Sequence, residues 1–106
     1  MLYYLCSSQI LRLYFVIVEG DKVIYSYTPS LDLHGETSSI AEVLVNQFIS
    51  DNYKLSNSTV IIVHGIGKGI IKNTVHNTLK KNKLVKSYKI DNFNVGCTIV
   101  NLIDKN

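Results

Sequence analysis

The sequence predicts an α/β fold, a two-layer α+β sandwich in which a β-α-β-α-β-β core follows an additional N-terminal β-hairpin. Residues 60–63 are an unbroken run of β-branched side chains, as expected of a strand that is covered on both faces. A glycine-rich turn follows, and apolar residues then recur at helical spacing at Ile70, Ile71, Val75 and Leu79. At 106 residues the chain is long enough for one domain with a modest core.

The N-terminal part of the chain has the pattern of a hairpin. Two β-rich runs, residues 10–18 and 23–27, flank the turn-forming sequence Glu-Gly-Asp-Lys. The sequence Thr-Pro-Ser at 28–30 then marks a boundary, because proline interrupts regular structure. We therefore divide the chain into a hairpin extension, residues 1–28, and a main domain, residues 29–106.

The main domain begins with a short alternating strand at 31–35 that ends at a glycine. Thr37 is a favourable N-cap for a first helix, whose apolar stripe continues to about residues 51–54. Further along, the pattern predicts a strand at 59–63, a helix from Ile70 to about Asn82, and strands at 84–90 and 96–103.

The turn between the second strand and the second helix of the main domain is a candidate anion site. After His64, glycines stand at alternate positions, Gly65, Gly67 and Gly69, with Lys68 between the last two. Such a turn allows backbone N–H groups to approach a ligand closely, and the helix N-terminus adds partial positive charge. A phosphate suits that position.

This turn fits neither of two named phosphate motifs. The dinucleotide fingerprint requires its third glycine one residue later, and an acidic residue about 20 positions on is missing. The P-loop requires four residues between its first glycine and its Gly-Lys pair, and Ser or Thr after the lysine. This turn has neither feature. A purely structural turn therefore remains an alternative.

The positive charge is concentrated in the segment that contains the glycine turn. Residues 52–90 contain eight lysines and no acidic residue, whereas residues 1–51 contain six acidic and two basic residues. This asymmetry favours a polyanionic partner, nucleic acid rather than membrane. On the second helix the spacing predicts a basic stripe on the exposed side, formed by Lys72, His76, Lys80 and Lys83. A merely solvated lysine face is the alternative.

The remaining composition indicates a protein of the reducing cytosol. Cys6 and Cys97 form neither a disulfide framework nor a metal-ligand spacing, so we predict no cofactor, although dependence on a divalent metal is left open. The apolar start of the chain is a poor signal peptide, and its longest apolar run, residues 13–18, is too short to span a bilayer. We expect a monomer or a weak homo-oligomer.

The dipeptide His-Gly ends a predicted strand twice, at His34 and at His64. If the two strands are parallel neighbours, both turns lie at the carboxyl edge of the sheet, where α/β sheets bind ligands. The two histidines would then face one another across a cleft. Asp32 precedes His34 by two residues, so both side chains point to the same face of the strand.

These motifs resemble the Smr domain, the small MutS-related module. The resemblance rests on Leu-Asp-Leu-His-Gly at 31–35, His-Gly-Ile-Gly-Lys-Gly at 64–69 and the strand Cys-Thr-Ile-Val-Asn-Leu at 97–102, and it covers about residues 30–103. It implies a fold similar to the C-terminal domain of translation initiation factor three. It also implies nucleic-acid binding, endonuclease activity on DNA or RNA in many members, and action on messenger RNA at stalled ribosomes in some. Where the family often has a Gly-Gly pair before the last strand, this chain has Phe-Asn-Val and the single Gly96.

Together these features favour an endonuclease that cleaves RNA more readily than DNA. In RNA the 2′-hydroxyl is a built-in nucleophile, so two histidines suffice as acid and base. We expect Asp32 to orient His34, His34 to act as the base and His64 as a possible acid, with these two labels exchangeable. Lys68 and the turn amides would hold the phosphate. A noncatalytic module that binds RNA, DNA or ribosomes is the main alternative, followed by a small-molecule phosphate binder.

Overall fold

The computed structural model describes residues 10–19 and 22–105, with side chains described from Thr28 to Lys105. The predicted turn residues Gly20 and Asp21, and Cys6, lie outside the described residues. In chain order the elements are β1 (Ile10–Glu19), β2 (Lys22–Asp32), α1 (Ser38–Lys54), β3 (Thr59–Val63), α2 (Ile70–Lys81), β4 (Val85–Ile90) and β5 (Cys97–Leu102). The β-α-β-α-β-β order of the main domain is therefore confirmed for β2 to β5, and β1 precedes it and pairs antiparallel with β2. The likeness to translation initiation factor three stays a prediction.

The five strands form one sheet in the order β1-β2-β3-β5-β4. β2 and β3 are parallel, and the crossover between them contains α1. β5 lies between β3 and β4 and is antiparallel to both. β3 is thus a central strand, with β2 on one side and β5 on the other.

β2 is longer than the sequence predicts. It runs without interruption through residues 28–30 and merges the two runs that we expected as separate strands, 23–27 and 31–35. Pairing with β3 begins only at Ser30, so Pro29 lies where β2 has a single neighbour, a position at which a sheet tolerates a missing N–H. The boundary is therefore not a break in the backbone. The division into residues 1–28 and 29–106 stays a prediction.

Both helices pack on the same face of the sheet and against each other. The α1 helix begins as predicted, because the Thr37 Oγ1 accepts a hydrogen bond from the Ile40 N–H at 3.3 Å. The core between helices and sheet consists of buried apolar side chains, and burial of each of the larger ones (Val, Leu, Ile and Phe) contributes roughly 1.5–3 kcal/mol. They are Leu31, Leu33, Ala41, Val45, Phe48, Ile49, Val60, Ile62, Val75, Leu79, Val100 and Leu102.

Burial along β3 alternates. Val60 and Ile62 face the helices and are fully buried, whereas Ile61 and Val63 on the other face are half-buried. The prediction that β3 is covered on both faces is therefore wrong for the face away from the helices, which is only half-buried. This alternation also decides where His64 points. Because His64 is two residues after Ile62, its side chain faces the helices as that of Ile62 does.

Candidate functional site

The glycine turn requires glycine because of its backbone angles. Gly65 and Gly69 have φ values of 80° and 81°, in the left-handed region that L side chains rarely adopt. A Cβ atom built on either residue would meet no heavy atom within 4 Å. Conformation, rather than lack of space, therefore selects glycine at these two positions.

The start of α2 presents amides that no side chain caps. Gly69 is the N-cap residue, and it has no side chain to accept a hydrogen bond from the first turn. A pocket of about 270 Å³, lined by residues 64–72, opens at this point. Free N–H groups, the helix dipole and the neighbouring Lys68 and Lys72 make the pocket suitable for an anion such as a phosphate.

His64 is built into the base of the turn. Its side chain is 7% exposed, and the backbone N–H groups of His64 and Gly65 both donate to the Gly96 carbonyl, at 2.9 and 3.0 Å. The ring Nδ1 lies 2.9 Å from the Gly65 carbonyl oxygen, which can only accept, so Nδ1 carries the proton. In the neutral ring Nε2 is then an acceptor, and it lies 2.8 Å from the Thr98 Oγ1.

Thr98 joins His64 to His76. The Thr98 side chain is fully buried, and its Oγ1 also lies 2.9 Å from the Nε2 of His76. Since the hydroxyl proton is given to His64, the oxygen accepts from His76, which fixes the Nε2–H tautomer of that ring. A directed chain of hydrogen bonds results, from His76 through Thr98 and His64 to the Gly65 carbonyl.

Ring packing and burial support the neutral form of both histidines. The His64 and His76 rings meet edge to face with centroids 6.0 Å apart, and Tyr88 packs on His76 at 5.0 Å. Burial lowers the pKa of His64. The hydrogen bond to the Gly65 carbonyl raises this pKa, and the positive charge of Lys72 lowers it, so that the net change is downward. Burial likewise lowers the pKa of His76, with contributions from His64 and Lys72.

The predicted basic stripe on α2 is not continuous. His76 does not lie on the exposed side among lysines, so that prediction is wrong: the residue follows Val75 of the core stripe and turns toward β5. The helix ends at Lys81, which leaves Lys83 beyond it. Lys68 and Lys80 are exposed, and Lys72 is half-buried beside the two histidines.

The first His-Gly turn has a different structure. The Asp32 carboxylate accepts a hydrogen bond from the backbone N–H of His34 at 2.9 Å, and the His34 side chain is exposed. The Leu33 N–H donates to the Val63 carbonyl at 2.9 Å, so His34 leaves the sheet beside the start of the glycine turn. Within the described residues no hydrogen bond or ring contact joins His34 to His64.

Sequence reasoning missed the roles of Thr98 and His76. The signal in the sequence is weak: Thr98 is one of two polar residues in a mainly apolar strand, the other being Asn101, and His76 adjoins a core position. Across the part of the chain that the structure describes, no three His, Cys, Asp or Glu side chains cluster as a metal site. Neither of the two helices described has the length and apolar character needed to cross a membrane.

Comparison with known proteins identifies the family. The Smr domain profile matches residues 31–103. The chain is 34% identical over 79 residues to endonuclease MutS2 of Clostridium acetobutylicum, and 32% identical over 103 residues to endonuclease MutS2 of Caldicellulosiruptor saccharolyticus. These alignments cover 74% and 83% of this chain but only 10% and 13% of those proteins, so the chain spans about a tenth of their length.

Solved structures agree. The crystal structure of the Smr domain of Thermus thermophilus MutS2 has a TM-score of 0.68 and 28% identity, and the match covers 70% of this chain and 96% of that one. YdaL, a stand-alone small MutS-related protein of Escherichia coli, has a TM-score of 0.66 at 23% identity, over 69% of this chain and 63% of YdaL, which shows a shared fold. From its matched profile, its motifs and its fold, this chain belongs to the Smr domain family.

Proposed function

We propose that this chain binds nucleic acid at the glycine turn and cleaves RNA there by histidine-assisted acid–base chemistry. One juxtaposition carries the proposal: the exposed His34 leaves β2 beside the turn that presents the uncapped amides of α2. The names of the relatives, endonuclease MutS2, support a nuclease but specify neither RNA nor DNA. Lys80, in the last turn of α2, and Lys83, just beyond the helix, are exposed and would extend contact to neighbouring phosphates.

In the proposed reaction a 2′-hydroxyl of the RNA attacks the adjacent phosphorus, and His34 accepts its proton. Asp32 fixes the backbone from which His34 projects, through the bond to the His34 N–H. The turn amides of Gly65, Gly67 and Gly69 together with Lys68 stabilise the negative charge that develops on the phosphate. The P–O5′ bond breaks and leaves a 2′,3′-cyclic phosphate and a 5′-hydroxyl.

The leaving 5′-oxygen must receive a proton. The candidate donor is His64, the second histidine at this edge of the sheet. Its one ring proton is held on Nδ1 by the Gly65 carbonyl, so acting as the acid requires breaking that bond. The same contacts support a positioning role, in which His64 holds the turn in its phosphate-binding shape. Both His64 nitrogens are engaged in hydrogen bonds, and this observation supports the second candidate function, a noncatalytic binding module. Among the described residues of the proposed site, His34 is then the exposed histidine.

Incubation of the purified chain with end-labelled RNA and DNA, with and without EDTA, tests the proposal. We expect cleavage of RNA, insensitivity to EDTA, and products ending in cyclic phosphate. A single 2′-deoxy substitution at the cut site should block cleavage. Cleavage of all-DNA substrates, or strict dependence on a divalent ion, would instead indicate hydrolysis by a metal-bound water.

Binding is measured separately from cleavage. We expect affinity for single strands to fall steeply with salt, with a log–log slope of about −0.7 for each neutralised phosphate. Salt-sensitive binding without cleavage of any substrate would support the binding module. Messenger RNA on ribosomes is the proposed natural substrate. Addition of ribosomes that carry a messenger RNA to the cleavage assay tests this part of the proposal.

A further inference from the structure

The loop between β4 and β5 exposes an aromatic ring next to the glycine turn. Phe93 is 98% exposed, and two apolar neighbours are also largely exposed: Val95 at 57% in the same loop, and Ile66 at 69% in the glycine turn. Exposing a whole phenylalanine ring to water is unfavourable, and none of the contacts of the fold described above uses it. The ring is therefore available to an external partner.

The loop is ordered by its own hydrogen bonds. The Asp91 carboxylate accepts from the Phe93 N–H at 2.9 Å, and the Asn94 side-chain oxygen accepts from the Gly96 N–H at 3.0 Å. The Cys97 N–H closes the loop on the Asn94 carbonyl at 3.0 Å. Phe93 is thus presented on a fixed backbone, which reduces the entropy that binding would otherwise cost.

The same loop is joined directly to the anion site. The Gly96 carbonyl accepts the N–H groups of both His64 and Gly65, and a Cβ atom on Gly96 would lie 3.4 Å from the Gly65 backbone. This junction connects the glycine turn, whose uncapped amides and Lys68 suit phosphate, to the loop that carries the exposed ring of Phe93. A partner that carries phosphate and a flat apolar surface within one short unit is complementary to both.

We propose that Phe93 stacks on an unpaired base of a single-stranded nucleic acid whose backbone phosphate occupies the glycine turn. Every base has a π-face that stacks on an aromatic side chain, whereas in a duplex those faces are covered by neighbouring bases. The site is therefore selective for single strands and tolerant of sequence. This inference rests on nucleic-acid binding as proposed above. It adds that the site selects single-stranded over duplex nucleic acid.

The chain contains no tryptophan, so Phe93→Trp introduces a single tryptophan at the stacking position, whose emission can be excited selectively over that of the seven tyrosines. We expect a single-stranded oligonucleotide to quench its emission, and an abasic oligonucleotide of equal charge or a blunt duplex to leave it unchanged. The matched control is Leu55→Trp, which replaces a 60% exposed residue at the C-cap of α1 and should not be quenched. Equal quenching of both variants, or by the abasic strand, would overturn the proposal.

Affinity gives the second readout. Phe93→Ala should weaken single-strand binding about 5- to 150-fold, the equivalent of the loss of one stacked base, and leave duplex binding unchanged. Phe93→Tyr should retain affinity. If Phe93→Ala binds single strands as tightly as the wild type does, stacking is refuted while nucleic-acid binding stands. If the wild type binds no nucleic acid at low salt, both proposals fail. A change in sedimentation on Phe93→Ala, without loss of affinity, would assign the ring to self-association instead.

Discussion

The two His-Gly turns share a dipeptide and an edge of the sheet, but their histidines occupy opposite environments. His64 is 7% exposed and has both ring nitrogens hydrogen-bonded, to Gly65 and to Thr98. His34 is exposed, and its backbone N–H donates a hydrogen bond to the Asp32 carboxylate. The first turn therefore exposes its histidine to solvent, whereas the second holds its histidine within the hydrogen bonds of the glycine turn.

The position of each strand in the sheet explains the difference. β3 has β2 on one side and β5 on the other, so the residue after it meets Thr98 and the Gly96 carbonyl. Within the described residues, β2 pairs with β1 as far as Leu31 and with β3 as far as Asp32, so no described strand pairs with His34. A repeated motif therefore does not imply a repeated role, because the strand environment of each turn sets what its side chain can contact.

The largest expected effect concerns the exposed histidine. His34→Ala should lower the rate of RNA cleavage by about 10²–10⁴, because a general base is lost. RNA affinity should stay within a few-fold, and the free energy of unfolding should change by no more than about 0.5 kcal/mol, as is usual at the surface. Single-turnover cleavage, filter binding and urea denaturation measure the three quantities. Full activity in this variant would leave His34 outside the chemistry.

The buried side of the comparison predicts the opposite pattern. Thr98→Val keeps the shape of the side chain but removes the hydroxyl that joins His64 to His76, and should cost about 1–3 kcal/mol of stability. RNA affinity should also fall, because the turn loses the support of an oriented His64. Urea denaturation and binding assays measure both effects. Thr98→Ser, which keeps the hydroxyl, is the control, and equal stability of the Val and Ser variants would contradict the hydrogen-bond chain.

A smaller effect is expected from the lysine in the glycine turn. Lys68→Ala should weaken binding several-fold and reduce the salt slope by about 0.7, as for the loss of one phosphate contact on a single strand. Lys105→Ala is the control of equal charge: its ammonium group donates to the Lys54 carbonyl at 2.8 Å, at the C-terminal end of α1. If both variants weaken binding equally, total charge rather than the turn governs affinity.

The smallest effect is a dependence of stability on pH. Burial lowers the pKa of His64 and His76 from the ordinary value of 6.5, so the unfolded chain takes up protons at a higher pH than the folded protein does. The contribution of these rings to stability is therefore complete above about pH 6.5 and is lost as the pH falls toward their lower folded pKa values.

Urea denaturation across this range provides the measurement. His76→Gln keeps an N–H donor for Thr98 but cannot titrate, so it should flatten the decline between neutral and mildly acidic pH. Glu42→Gln, on the exposed side of α1, removes one charge elsewhere and should leave that part of the profile unchanged. A decline identical in the wild type and His76→Gln would show that His76 does not contribute to it.

Local patterns were sufficient for most elements of this protein, although not for the uninterrupted strand β2. The Thr37 cap, the helical spacing after Gly69 and the glycines that stand at positive φ are decided by interactions within a few residues, so they can be predicted from the sequence. The same holds for the presence of two His-Gly turns at one edge, since a parallel β-α-β unit has that geometry.

Tertiary structure decided what each histidine does. His64 and His76 meet through a threonine that is 34 and 22 residues away in the sequence, and they do so because β5 inserts between β3 and β4. The tertiary structure also joins the Phe93 loop to the glycine turn, through the hydrogen bonds that the Gly96 carbonyl accepts. No periodicity encodes such contacts, because hydrogen-bond partners depend on the order of strands in the sheet, which differs here from their order in the chain.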